Sequence, residues 1–225
     1  MIFNGFIKTD LVNWPGRVAA TVFTSGCNFR CPYCHNADLV TMQEQKTHSE
    51  EEVLDFLEKH PAIESLVVSG GEPTIHADLP DFMRKVKALG KSVKLDTNGT
   101  NPEMLEEIVR ADLVDYIAMD IKAPWYKYHM VGEERLLGNV KRSLWILRHM
   151  CNGNDFLTEL RTTCSKDMLD KRDIVEIIDI ADGMELTLQV FDPHVTLDPS
   201  WKEARPWTKE ELERIASPFP NVSVR

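Results

Sequence analysis

The chain has 225 residues, of which 36 are acidic and 26 basic, for a formal net charge of −10. Its Lys and Arg are scattered, which argues against a surface built to neutralise nucleic-acid phosphates. No run approaches ~18 consecutive apolar residues, and "MIFNGFIKTD" is not a basic segment leading into an apolar one, so neither a membrane span nor a secretory leader is expected.

Five cysteines, an odd number in a chain of this size, fit a reducing, cytoplasmic setting better than a disulfide framework. The length suits one domain spanning residues 1–225. "VAATVFT" (18–24) reads as a strand, and "SEEEVLDFLEKH" (49–60) as a helix opened by a Ser49–Glu52 capping box and stopped by Pro61. "IESLVVSGG" (63–71) is a short β-branched run, followed by a helix over 79–89 that Gly90 ends. "KSVKLDTNG" (91–99) reads as strand into turn, with Asn101 and Pro102 as N-cap and first position of the next helix. Strands follow at 114–122, 156–164 and 184–191, and helices at 134–150 and 168–181. Thr208 and Glu211 make a capping box for a last helix, and "NVSVR" a final edge strand. Six strand-then-helix units imply an α/β fold, a partial (β/α)6 barrel with a parallel sheet. The loop at 122–134, with Trp125, Tyr126 and Tyr128, is either an ordered surface loop or a lid or docking loop.

In such folds the chemistry gathers at the C-terminal ends of the strands. Four unusual segments fall there: "SGCNFRCPYCHN" (25–36), "SGGEPT" (69–74), "DTNGT" (96–100) and "MDIK" (119–122). The first holds Cys27, Cys31 and Cys34, spaced Cys-x3-Cys-x2-Cys. Thiolates at this spacing suit zinc or an iron–sulfur cluster. Structural zinc takes four protein ligands. His35 follows Cys34 directly, an awkward position for chelating the same ion, and Cys151 and Cys164 stand far off. A cubane cluster has four corners; three cysteines fill three and leave one iron open to a substrate or cosubstrate. Three inert packed thiols would be out of place in a loop near solvent.

This cysteine pattern, with aromatic Tyr33 before the last thiol, resembles the radical S-adenosylmethionine superfamily. The resemblance implies a [4Fe-4S] cluster on Cys27, Cys31 and Cys34, with S-adenosylmethionine on the fourth iron and Tyr33 beside its adenine. "GGEP" (70–73) matches the superfamily's second motif. It implies that Gly70 and Gly71 bring backbone close to the methionyl amine and that Glu72 adds a complementary charge. The expected fold is then the superfamily's partial barrel.

"GFIKTDLVNWPGRVAATVFTSGCNFRCPYCHN" is similar to the opening of glycyl-radical-enzyme activating enzymes, especially activators of anaerobic ribonucleotide reductase. "DTNG" (96–99) and "MDIK" follow in the same order. By position they imply a monovalent cation site made by Asp96, Thr97, Asp120 and the carbonyl of Ala118, since oxygen ligands suit a hard cation. They also imply cosubstrate contacts from Asn98, Lys122, Arg161 and His194. Asp96 and Asn98 are equally ordinary turn formers, Arg161 could serve a carboxylate partner, and His194 could be a solvated loop histidine. Asp120 in an apolar strand needs a partner, and Lys122 can provide it. Between Cys34 and Cys151 there is no cysteine, so one cluster is expected, with Cys151 and Cys164 as packed thiols.

The leading expectation is a radical enzyme that takes a hydrogen atom from a backbone glycine of a partner enzyme, with flavodoxin or ferredoxin as electron donor, and with neither nucleic acid nor membrane as partner. The alternatives are the same chemistry on a small molecule, such as a deazapurine precursor, and a non-catalytic zinc or iron–sulfur module.

Overall fold

A computed structural model of the chain describes residues 1–41, 47–132, 134–151 and 156–225. It opens with an antiparallel pair, β1 (Ile2–Asp10) and β2 (Ala19–Thr24). The short helix α1 (Ala37–Thr41), the two-residue strand β3 (His48–Ser49) and α2 (Glu50–Lys59) come next. Strand and helix then alternate: β4 (Ser65–Gly70), α3 (Leu79–Ala88), β5 (Ser92–Thr97), α4 (Pro102–Arg110), β6 (Tyr116–Asp120), α5 (Leu137–Met150), β7 (Leu157–Cys164), α6 (Lys171–Ala181), β8 (Leu186–Val190), α7 (Lys209–Ala216) and β9 (Val222–Val224). All belong to one nine-stranded sheet ordered β3-β1-β2-β4-β5-β6-β7-β8-β9. From β2 to β9 every pairing is parallel. The ordering agrees with the six expected strand–helix units.

Local chemistry explains the boundaries. Asn101 caps α4 by accepting from the Met104 amide at 3.2 Å, with Pro102 in the first turn. Thr208 and Glu211 form the expected reciprocal capping box on α7. The box expected at α2 is half made: Ser49 accepts from the Glu52 amide at 3.1 Å, while the Glu52 carboxylate turns to His48 Nδ1 at 2.9 Å. Strand β1 is, with α1 and β3, an element the sequence reading left unassigned. Register shifts between Phe3 and Gly5 and between Ile7 and Asp10 break its alternation, so its apolar residues do not repeat with a period of two.

Alternation in the other strands sorts residues onto two faces. Val22, Leu66, Val68, Val93, Leu95, Ile117, Met119, Leu160 and Leu188 join the helices in the main core. The opposite face lines a lumen. Its floor is a small apolar cluster of Trp14, Ala19, Val67, Tyr116 and Ala118, with Trp14 meeting Tyr116 edge-on at 5.6 Å. Above the floor the lumen turns polar, and the cysteine loop sits over it.

The loop at 122–134, of which residue 133 lies outside the described residues, packs against the rest of the chain. It contains a 3-10 turn over Trp125–Met130. Lys127 pairs with buried Asp173 at 2.6 Å, and the Val131 carbonyl accepts the Arg30 amide at 3.1 Å.

Candidate active site

The cysteine loop leaves the end of β2 and locks onto the loop after β4. The Gly71 amide donates to the Thr24 carbonyl at 3.0 Å, and the Glu72 amide to the Gly26 carbonyl at 2.9 Å. Gly26 has φ +78° and Gly70 φ +127°, a region that favours glycine. A Cβ on Gly71 would lie 1.9 Å from the Gly26 oxygen. The double glycine is therefore needed for loop-to-loop contact as well as for approach to a ligand.

The three thiols, with Tyr33, line a cavity of about 440 Å³. Cys27 Sγ accepts from the Phe29 amide at 3.4 Å, and the Cys31 thiol faces the Val131 carbonyl at 3.8 Å. Burial raises the Cys27 thiol, against the Phe29 amide that lowers it, and pushes the Cys31 thiol up to about 11, against the nearby Lys122 charge. Metal loading on these two positions must therefore release protons. Among the described residues no three His, Cys, Asp or Glu side chains converge as ligands of a single metal ion. Three thiols are one fewer than the four protein ligands of a closed structural zinc site, and they suffice for three corners of a cubane. His35 is committed elsewhere: its Nε2 lies 2.8 Å from the Asp192 carbonyl and its ring stacks on Phe191.

Glu72 also lines the cavity, yet its carboxylate is fully used by the protein. Oε1 accepts from the Thr74 amide at 3.1 Å, the Thr74 hydroxyl and the Thr97 hydroxyl at 2.7 Å; Oε2 accepts from the Asn98 amide at 2.6 Å. Burial raises this carboxyl, and the hydrogen bonds oppose the rise. Glu72 thus joins the GGEP turn to the end of β5, and the glycine backbone is what remains for a ligand. Asn98 extends the tie: its amide nitrogen donates to Asn28 Oδ1 at 2.9 Å, and its oxygen accepts the Thr100 hydroxyl at 2.6 Å.

Deeper in the lumen five charged side chains form a row. Asp96 Oδ1 lies 3.1 Å from Lys94 Nζ and 3.2 Å from an Arg161 Nη. These are ion pairs by distance, and neither is aligned as a hydrogen bond, so Oδ1 has no directed donor. Arg161 Nε donates to Asp120 Oδ1 at 3.0 Å, and Lys122 Nζ to Asp120 Oδ2 at 3.1 Å. Burial alone would raise Asp120; the Arg161 and Lys122 charges outweigh it and hold the carboxyl at about 2. Lys122 is buried too, which lowers its pKa, but Asp120 attracts the proton more strongly and the balance is upward. Lys94 goes the other way: burial lowers it, with Asp96 opposing.

Tyr33 packs its ring against Trp201 at 5.7 Å and Phe191 at 6.4 Å. Its hydroxyl is buried without a hydrogen-bond partner. Cys27, Cys31, Cys34, Tyr33, Gly70, Gly71, Glu72, Asp96, Thr97, Asn98, Asp120, Lys122 and Arg161 are all brought to this cavity. Two candidates are not. Ala118 lies in the floor cluster. The His194 side chain is 87% exposed and pairs with Asp192 outside the cavity. The sequence reading passed over Lys94, although two-residue spacing in β5 sets it on the same face as Asp96. Cys151 and Cys164 are buried core thiols, as expected.

Three sulfur donors, a glycine backbone with no room for a side chain and an unpartnered buried hydroxyl fit a cubane cluster and its cosubstrate around one cavity. Among the described residues no helix is long and apolar enough to cross a membrane. Comparison with known proteins places these features. Residues 21–150 match the radical SAM superfamily. The chain is 33% identical over 235 residues to "Putative glycyl-radical enzyme activating enzyme MJ1227" of Methanocaldococcus jannaschii, covering 100% of this chain and 95% of that protein. It is 33% identical over 122 residues to a pyruvate formate-lyase-activating enzyme of Listeria monocytogenes, 49% of each chain. It is 32% identical over 89 residues to a 7-carboxy-7-deazaguanine synthase of Halobacterium salinarum, 38% of this chain and 35% of that one. Streptococcus suis SuiB bound to S-adenosylmethionine shares the fold, with TM-score 0.67 at 12% identity over 90% of this chain and 48% of SuiB. The chain therefore belongs to the radical SAM superfamily, whose members use a [4Fe-4S] cluster and S-adenosylmethionine, and its relatives include glycyl-radical-enzyme activating enzymes.

Proposed function

We propose that this protein generates a glycyl radical on a partner enzyme, with an anaerobic ribonucleotide reductase as the first candidate and flavodoxin or ferredoxin as the electron donor. The observation that carries the reading is the match to an activating-enzyme relative along the whole chain. When bound, the reduced cluster and S-adenosylmethionine supply methionine and a 5′-deoxyadenosyl radical able to abstract a hydrogen atom. The chain's own residues have the other tasks. Cys27, Cys31 and Cys34 hold the cluster. Gly70 and Gly71 offer a backbone surface for the methionyl amine, and the Tyr33 ring a wall for the adenine. Asn98 and Lys122, just past the ends of β5 and β6, and Arg161, within β7, face the cosubstrate. Burial of Cys31 and partial burial of Cys27 and Cys34 limit water at the reacting atoms.

The test is anaerobic incubation of the reconstituted, reduced protein with S-adenosylmethionine and candidate glycyl-radical enzymes encoded by the same genome. A glycyl doublet in the electron paramagnetic resonance spectrum, with matching 5′-deoxyadenosine, is expected; its absence with every candidate rejects the reading. The match to a deazaguanine synthase favours one alternative, hydrogen abstraction from a small molecule. Deuterium on the partner's glycine discriminates, because only the first reading delivers it into 5′-deoxyadenosine.

A further inference from the structure

We infer that Asn98 raises the reduction potential of the bound cluster by directing an N–H at the Cys27 sulfur, and that Asn28 is the positioning residue that holds it there. Asn98 lines the cavity, yet every polar atom of its carboxamide is engaged by the chain. Oδ1 accepts the Thr100 amide at 3.0 Å and the Thr100 hydroxyl at 2.6 Å. Nδ2 donates to Asn28 Oδ1 at 2.9 Å and to Cys27 Sγ at 3.8 Å. Asn28 Nδ2 donates to the Thr100 hydroxyl at 2.7 Å and closes a ring of side chains. A backbone amide can only donate, so the Thr100 N–H fixes which end of Asn98 is oxygen and turns its nitrogen to the thiol. That nitrogen then has one acceptor for each hydrogen, Asn28 for one and Cys27 for the other. Asn98 and Thr100 are buried, and the Asn98 backbone amide is tied to Glu72 at 2.6 Å, so the ring has little room to turn away.

The three thiols are not equivalent. Cys27 Sγ receives N–H groups from both Phe29, at 3.4 Å, and Asn98. Cys31 faces the Val131 carbonyl at 3.8 Å, and among the described residues no N–H is directed at the Cys31 or Cys34 sulfur. A ligating thiolate is a stronger acceptor than a thiol, and stronger again when the cluster carries an extra electron. Donors at the sulfur therefore favour the reduced cluster and ease electron uptake from a low-potential carrier. The inference concerns the cluster alone and holds whether the hydrogen donor is a protein or a small molecule.

The test is a redox titration of the cluster-loaded protein without S-adenosylmethionine, followed by electron paramagnetic resonance, with iron content measured on each sample. Asn98→Ala is expected to lower the equilibrium constant for one-electron reduction about tenfold, about 59 mV in midpoint potential. Asn28→Ala lowers it by less, and the double variant falls no further than Asn98→Ala, because Asn28 acts through Asn98. At full iron content, an Asn98→Ala potential that rises, or stays within about twofold of wild type in that constant, overturns the inference. An Asn28→Ala potential equal to wild type, or a loss that adds in full to that of Asn98→Ala, overturns the role of Asn28. The wild type gives an arm that needs no variant. Protein labelled with nitrogen-15 only in its asparagine carboxamides is reduced and measured by pulsed electron paramagnetic resonance. A nitrogen-15 coupling to the cluster is expected, and its absence overturns the inference even if neither variant takes up iron.

Discussion

Gly71 tolerates no side chain, because a Cβ there meets the Gly26 carbonyl at 1.9 Å and the obstacle is backbone. Gly71→Ala is expected to cost about 3 kcal/mol or more and to lower bound iron, read by urea midpoint and by metal analysis. Cys27→Ser, Cys31→Ser and Cys34→Ser are each expected to lose site-differentiated iron and 5′-deoxyadenosine formation, which Mössbauer spectra and product assay would show. Asp120 carries a pH dependence. Its folded pKa, about 2, is depressed from an ordinary 3.8, so its stabilisation is complete above about pH 4 and is lost as pH falls toward 2. The stability difference between wild type and Asp120→Asn, on the order of 2 kcal/mol at neutral pH, should shrink across that window in urea titrations of the cluster-free protein. The cysteine triad and the double glycine were readable because their spacing is local. The role of Glu72 was not: four donors from residues 74, 97 and 98 surround it, and nothing in a linear motif says that they converge.

Strand–helix alternation was legible wherever a strong period met a cap, as at α4 and α7. It failed at β1, whose two register shifts disrupt the pattern, and it gave α2 a reciprocal box that competition from His48 removes. The box it missed is the more consequential one. Asp170 and Asp173 cap α6 reciprocally, and the buried Asp173 also accepts Lys127 Nζ at 2.6 Å and the Tyr126 hydroxyl. One carboxylate thus secures both a helix start and the 3-10 turn whose far end supplies the Val131 carbonyl to Arg30 and Cys31. Asp173→Ala should destabilise the cluster-free protein by about 3 kcal/mol, since it strands a charged partner and leaves the Asp170 amide without its capping-box acceptor. Asp173→Asn should cost less, because it retains an acceptor. Denaturant unfolding of both variants measures the difference.

The molecule divides its interior by sheet face, an apolar core under the helices and a charged lumen on the other side. The parity of each strand predicts that division, but which lumen charges pair depends on the curvature of the whole sheet. Amides in β4, β5, β6 and β7, each paired on both sides, should exchange slowest in native-state hydrogen exchange, and those of β3 and β9 fastest. The sheet stops short of a closed ring, and its outermost strands have two and three residues. Beyond Phe3, strand β1 presents an outer margin without β3 beside it, yet that margin is interrupted by the second register shift and carries Lys8. An unclosed sheet would ordinarily invite strands of a second molecule to add to it. Here the template is brief on one flank and kinked and charged on the other, a geometry that resists intermolecular β-pairing at high protein concentration.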